Sequence, residues 1–206
     1  MDVPGSHSMK AAVGEPAGLG LFGLAIVTLV VSSEKLGLTT GLSLLIPWAI
    51  FLGAFAQLIA CLNDFRRHNI FGATAFGGYA FFWFSMAMVW FIKLGFFGEK
   101  IAAGVDSRQL GVVFIGYLIF SLYMTVAAME TNRVLFWILF LIDFLFLGLA
   151  LNAFNVMPAF TMGLAGWSEL GVALLGFYGS AATVLNTHFD QVVLPVGKPF
   201  GIFKKA

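Results

Sequence analysis

Six apolar stretches separated by short polar loops occupy most of the chain, and they predict membrane-spanning helices near residues 18–33, 42–62, 74–95, 110–128, 134–154 and 168–186. A hydrocarbon core about 30 Å thick needs about 20 apolar residues in helix, and every stretch reaches or approaches that length. Tails of residues 1–14 and 191–206 remain, so 15–190 is read as one all-helical integral membrane domain, a six-helix bundle with no soluble part to carry aqueous chemistry. The first tail holds Asp2 and Lys10 without an apolar segment, and no cleavable signal is expected there. Small residues recur at helical spacing: Gly20 with Gly23, Gly53 with Ala56 and Ala60, Gly111 with Gly116, and Gly171 with Gly176 and Gly179. Such faces let backbones approach closely where lipid removes the hydrophobic drive between helices.

Composition agrees with a lipid solvent: 60% of the residues are hydrophobic and 10% charged, against about 25% charged in soluble domains. Most of the 24 phenylalanines are expected to face lipid or neighbouring subunits, and Trp48, Trp90 and Trp167 to anchor span ends at the interface. Lys10, Arg66, Arg67, Arg133, Lys198, Lys204 and Lys205 fall on the side of the termini, and Lys35, Lys93, Lys100 and Arg108 on the other. The positive-inside bias then places both termini in the cytoplasm, as in a multi-pass protein of the cell inner membrane. A net charge of +1 gives no case for nucleic acid, and Lys204 with Lys205 reads as a solvated tail. Cys61 stands alone, which excludes an internal disulfide, and is read as a small core residue.

Reactive constellations are missing from the same inventory. His7, His68 and His188 are scattered over a tail and loop edges, so no metal site is expected. There is no G-x-S-x-G, H-E-x-x-H or P-loop, hence no catalytic residues, no cofactor and no ATP-driven pump. The chain is read as a non-enzyme, and any energy comes from a gradient.

Polar residues at membrane depth carry the most information, because an unpaired polar group in hydrocarbon costs several kcal/mol and so faces a cavity or a partner. Gln57 lies in the middle of the second stretch. Tyr117, Ser121 and Thr125 form an i, i+4, i+8 stripe on the fourth that either lines a polar path or bonds its own helix and a neighbour. Asp143 lies within FWILFLIDFLFLGLAL with no basic neighbour in sequence. It is either a pathway or proton-handling acid, or a buried hydrogen-bonding one. The first stretch opens Glu15-Pro16-Ala17-Gly18-Leu19-Gly20, with Pro near the first helical position and unpaired backbone donors able to hold an anion. Glu15 there can instead be an N-cap carboxylate.

These residues also carry a family resemblance. Glu15-Pro16-Ala17-Gly18-Leu19-Gly20-Leu21 resembles the Asn-Pro-Ala-Pro-Leu-Gly-Leu signature of the acetate and succinate transporter family, which includes bacterial succinate-acetate permeases and fungal acetate or ammonia-export proteins. Ala56-Gln57 through Asn69, Phe71-Gly72, Thr74-Ala75-Phe76, Tyr79, Phe82-Trp83, Arg133-Val134-Leu135, Gly166-Trp167, Tyr178, Val184-Leu185-Asn186, Phe189 and Val193-Leu194-Pro195-Val196-Gly197 continue it in order. The signature Asn is Glu15 here and its second Pro is Gly18.

The resemblance implies a homo-hexamer in membrane lipid, one solute path per protomer, and proton-linked passage of acetate and related small monocarboxylates or succinate. It also implies a constriction whose family residues Phe, Tyr and Leu fall on Leu24, Tyr79 and Ile142, an apolar ring that excludes hydrated ions. The candidate solute contacts are Glu15, Pro16, Ala17, Leu19 and Gly20 with Gln57 and the hydroxyl stripe, and Asp143 is the candidate proton carrier, standing next to Ile142 where a bacterial member of the family has Thr. An ionised Glu15 beside an anion site is awkward, and a channel for a neutral solute such as urea, an amide or ammonia is the second reading. A membrane-embedded enzyme or a structural membrane protein is the third.

Overall fold

The apolar stretches fold as six long helices in the computed structural model, which describes residues 14–203; His7, Lys10, Lys204 and Lys205 lie outside them. The spans are α1 (Ala17–Lys35), α2 (Leu45–Arg66), α3 (Ile70–Lys93), α5 (Ser107–Ala128), α6 (Arg133–Ala153) and α7 (Pro158–Phe189), with a short α4 (Glu99–Ala103) between the third and fourth. The largest departure from expectation is α7, which begins at Pro158 rather than near 168. Pro158 stands at the helix start, where its missing N–H costs nothing, and the apolar run after it continues the helix. Trp167 therefore lies well inside α7, where it is exposed, instead of marking its end.

Polar caps set several helix starts. The side chains of Asn69, Asp106 and Asn132 accept backbone N–H bonds from Gly72, Arg108 and Leu135, opening α3, α5 and α6. Arg108 in turn donates to Asp106 at 2.8–3.1 Å and holds that carboxyl below its ordinary range.

The helices close into a ring. α1 packs most extensively on α7, α7 on α6 and α6 on α5, while α2 packs on α1 and α3, and α3 meets α5 only lightly. α1, α3 and α6 make little or no backbone contact with one another, so their facing side chains fill the centre.

Glycines make the close approaches. A Cβ on Gly23 would collide with the Leu52 carbonyl, one on Gly53 would lie 2.8 Å from the Trp83 ring, and one on Gly20 2.5 Å from Phe76. Gly116 meets nothing within the protomer, so it is not one of the packing positions expected of it. The Leu52 carbonyl belongs to a π-helical stretch, Ala49–Ala56, that widens the middle of α2.

Most of the phenylalanines are exposed or half-buried, and a few turn inward. Phe82, Phe114, Phe136 and Phe146 are buried, and Trp90 is buried beside Trp83 at 6.4 Å rather than anchoring an interface.

The second tail is a strap. Asn186 binds Leu194 O, Val193 N and Leu194 N at 2.7–2.9 Å, and Tyr178 donates to Pro195 O at 2.8 Å. Arg133 donates to Lys198 O at 3.0 Å and stacks on Phe200 at 3.8 Å.

Candidate functional site

A cavity of about 390 Å³ opens on the face of the termini, lined by Glu15, Ala17, Leu21, Asn69, Thr131, Asn132 and Val196 among others. It adjoins a central cavity of about 80 Å³, with which it shares Ala17, Leu21, Asn69, Phe71 and Leu135. The inner end of the central cavity is formed by Leu24 of α1, Tyr79 of α3 and Ile142 of α6, each at most 5% exposed. A third cavity, about 610 Å³, lies on the opposite face and shares no lining residue with the central one. Between them stands an apolar barrier. Tyr79 stacks on Phe146 at 6.5 Å, and Phe146 meets Phe82 at 5.2 Å and Phe114 at 6.4 Å. From Leu24 to Val31, which lines the third cavity, the helical rise makes this barrier about 10 Å thick.

Two buried side-chain atoms among the described residues have no hydrogen-bond partner, Gln57 Oε1 and Asp143 Oδ1. Gln57 leaves the end of the π-helical stretch, donates through Nε2 to Gly53 O at 2.6 Å and lines the central cavity. Its free oxygen is an unsatisfied acceptor, costly unless a solute or water pairs with it.

Asp143 does not line the three axial cavities, although its neighbour Ile142 does. It faces α5, where Thr125 Oγ1 donates to Asp143 Oδ2 at 2.8 Å. Tyr79 Oη donates to Ser121 Oγ at 3.2 Å, one helical turn before Thr125. Tyr117 Oη donates to Gly78 O at 3.1 Å. The hydroxyl stripe of α5 is thus absent from the lining of those cavities and lies behind Leu24, Tyr79 and Ile142, with Ser121 bonded to Tyr79 and Thr125 to Asp143.

At the opening of α1, Ala17 N donates to Glu15 Oε1 at 3.2 Å, and Glu15 pairs with Arg67 at 2.5 Å. The carboxylate therefore caps the helix, and its charge is balanced by a neighbour. Pro16 is buried at the helix start, with its carbonyl accepting from Gly20 N at 3.2 Å. Ala17 borders the path, Leu19 lines an outer groove with Gly18, Thr183 and His188, and Gly20 packs against Phe76 and Ala60.

Sequence reasoning missed three features. Phe82, Phe114 and Phe146 were hidden among many phenylalanines. Asp64 is 1% exposed, accepts from Asn69 Nδ2 at 3.1 Å and lines the central cavity, yet it lies past the predicted end of the second stretch. Glu169 is buried against Lys35; it stands at the very edge of the predicted stretch 168–186, where an acid is unremarkable, and an α7 starting at Pro158 places it well inside a span.

The sequence profile of the GPR1/FUN34/yaaH family matches residues 3–198. The chain belongs to that family. Among GPR1/FUN34/yaaH proteins, the succinate-acetate/proton symporter SatP of Escherichia coli (strain K12) is 30% identical over 188 residues, covering 90% of this chain and 96% of the relative. The ammonia transport outward protein 2 of Saccharomyces cerevisiae is 29% identical over 181 residues, covering 84% of this chain and 63% of the relative. The solved structure of the bacterial acetate channel SatP superposes with a TM-score of 0.81 at 30% identity, covering 89% of this chain and 99% of that one.

Proposed function

We propose that this protein carries acetate and related small monocarboxylates, with succinate a further candidate, across the cell inner membrane through each protomer of a homo-hexamer whose termini are cytoplasmic. The supporting observation is the central cavity: it has room for a solute of a few heavy atoms, apolar walls, and one unpartnered acceptor in Gln57 Oε1. A protonated carboxyl offers that oxygen the O–H donor it lacks, and its methyl end suits Leu24 and Ile142. The Phe82–Phe146 barrier opposes a bare charge, so the acid crosses as a neutral species or together with a proton.

Asp143 is the acid through which the proton acts on the constriction. Ser121 accepts from Tyr79, Thr125 on the next turn donates to Asp143, and in this reading the Ser121 hydrogen serves the free Asp143 Oδ1. A proton on Asp143 Oδ1 reverses each donor in that chain, so Tyr79 turns its hydrogen into the path and presents it to the solute.

The neutral-solute reading rests on the same amide oxygen, which also accepts from ammonia, urea or an amide. Uptake of labelled acetate, succinate, urea and methylammonium into proteoliposomes, with and without a pH gradient and corrected for protein-free liposomes, separates the two. Acetate uptake enhanced by an inward proton gradient is expected. Uptake of urea or methylammonium alone overturns the carboxylate reading.

A further inference from the structure

Lys35 ends α1, and its Nζ pairs with Glu169 Oε2 of α7 at 2.7 Å, with the two side chains 10% and 2% exposed. Both line the 610 Å³ cavity on the face away from the termini. Gly166, one turn before Glu169, makes room for the Lys35 stem, since a Cβ there would lie 3.3 Å from Lys35 Cβ and 2.8 Å from Leu36.

A buried ion pair of this kind is a poor device for stability, because desolvating both charges offsets their attraction. Its position at the end of a cavity suits exchange. The charged groups that line this cavity are Glu34 and Lys35 from α1, Lys93 from α3 and Glu169 from α7. α6 contributes Asn152 but no titratable side chain, and α2 and α5 bring apolar groups and Ser107. With all four groups ionised their charges cancel. One proton on Glu169 leaves the cavity with a net positive charge and frees Lys35 Nζ.

We propose that the Lys35–Glu169 pair is a proton-exchanged carboxylate site at the mouth opposite the termini, where a small carboxylate replaces Glu169 at Lys35 once Glu169 takes up a proton. This rests on the carboxylate reading of the path. Each acetate arriving from that face is held by Lys35 while its accompanying proton sits on Glu169, so the bound state is electroneutral. The solute then takes the proton from Glu169 and leaves toward the barrier as the neutral acid, and the ionised Glu169 returns to Lys35.

The test is acetate uptake from that face by the full chain in liposomes of single orientation, with KM and kcat measured from pH 5.5 to 8. In the wild type KM rises with pH from this face. Glu169→Gln removes the titrating competitor, so KM becomes low and flat; Lys35→Gln raises KM about tenfold at low pH, with a much smaller change in kcat. The double variant Lys35→Gln/Glu169→Gln strands no charge and safeguards against misfolding; its KM is expected to be high and flat. A Glu169→Gln KM that climbs with pH as the wild type does, or a double variant with wild-type KM and pH profile, overturns the site while leaving acetate transport standing. A wild type that takes up no acetate at any pH overturns the transport reading and the site with it.

Discussion

Asp143 and Leu24 border the same constriction and act on different quantities. Asp143 lies behind the ring on Thr125, one turn along α5 from the Ser121 that Tyr79 bonds, so in the proposed relay its protonation alters which way a hydroxyl points while the ring keeps its width. Asp143→Asn keeps the shape and offers Ser121 a permanent N–H donor. Acetate uptake by this variant is expected to lose its pH dependence in kcat, with thermal stability near wild type; a pH profile matching the wild type rejects the relay. Leu24 is packed in the wall of the central cavity, and Leu24→Ala removes three carbons from the proposed constriction. Propionate and butyrate are expected to compete with acetate several-fold better in that variant, because the barrier there is steric and apolar. An unchanged competition order puts the constriction elsewhere. Truncating a buried Leu also lowers stability by about 2–5 kcal/mol, so the comparison belongs at a temperature well below unfolding.

At the scale of elements, α2 does more than span. Its π-helical stretch, Ala49–Ala56, brings the Leu52 carbonyl against Gly23 of α1, and Gln57 follows directly after it. The contact tolerates no side chain at position 23, since the obstructing atom is backbone and cannot rotate away. Gly23→Ala is therefore expected to separate α1 from α2, lower stability by about 1–3 kcal/mol in thermal unfolding of the purified protein, and reduce acetate uptake through displaced Leu24 and Gln57. Wild-type stability and uptake in that variant contradict the packing described. The caps at Asn69, Asp106 and Asn132 work more locally, each fixing where a span begins and hence the depth at which its side chains enter the ring.

Two features belong to the whole molecule. The C-terminal strap joins the end of α7 to the start of α6, and its Val196 lines the cavity on the termini's face. Asn186→Ala removes three hydrogen bonds that hold the strap. Faster amide hydrogen exchange over residues 193–200 and easier entry of solute from that face are expected; exchange at the wild-type rate rejects the strap's dependence on Asn186. The outer surface of α2 and α3 carries Phe51, Phe55, Phe81 and Phe84 in mutual contact, with Phe55 and Phe84 at 5.0 Å. Lipid or a neighbouring protomer covers such a patch. Native mass spectrometry is expected to give six chains per particle, and a monomer in mild detergent and in nanodiscs rejects the hexamer.

Span number, the apolar nature of the domain and the polar positions Gln57 and Asp143 were legible in the sequence, because membrane-depth polarity stands out against runs of Leu, Phe and Ala. The family signature was legible as well. Facing direction was not. Tyr117, Ser121 and Thr125 share a helical stripe whether it looks into a path or onto a neighbouring helix, and the order of helices around the ring placed them behind Tyr79. Lys35 and Glu169 are 134 residues apart, and only the packing of α1 on α7 pairs them. The sequence by itself determined how many segments are long and apolar enough to cross a membrane, since that depends on local transfer free energy. The tertiary structure decided which of them meet, since that depends on contacts between segments distant in the chain.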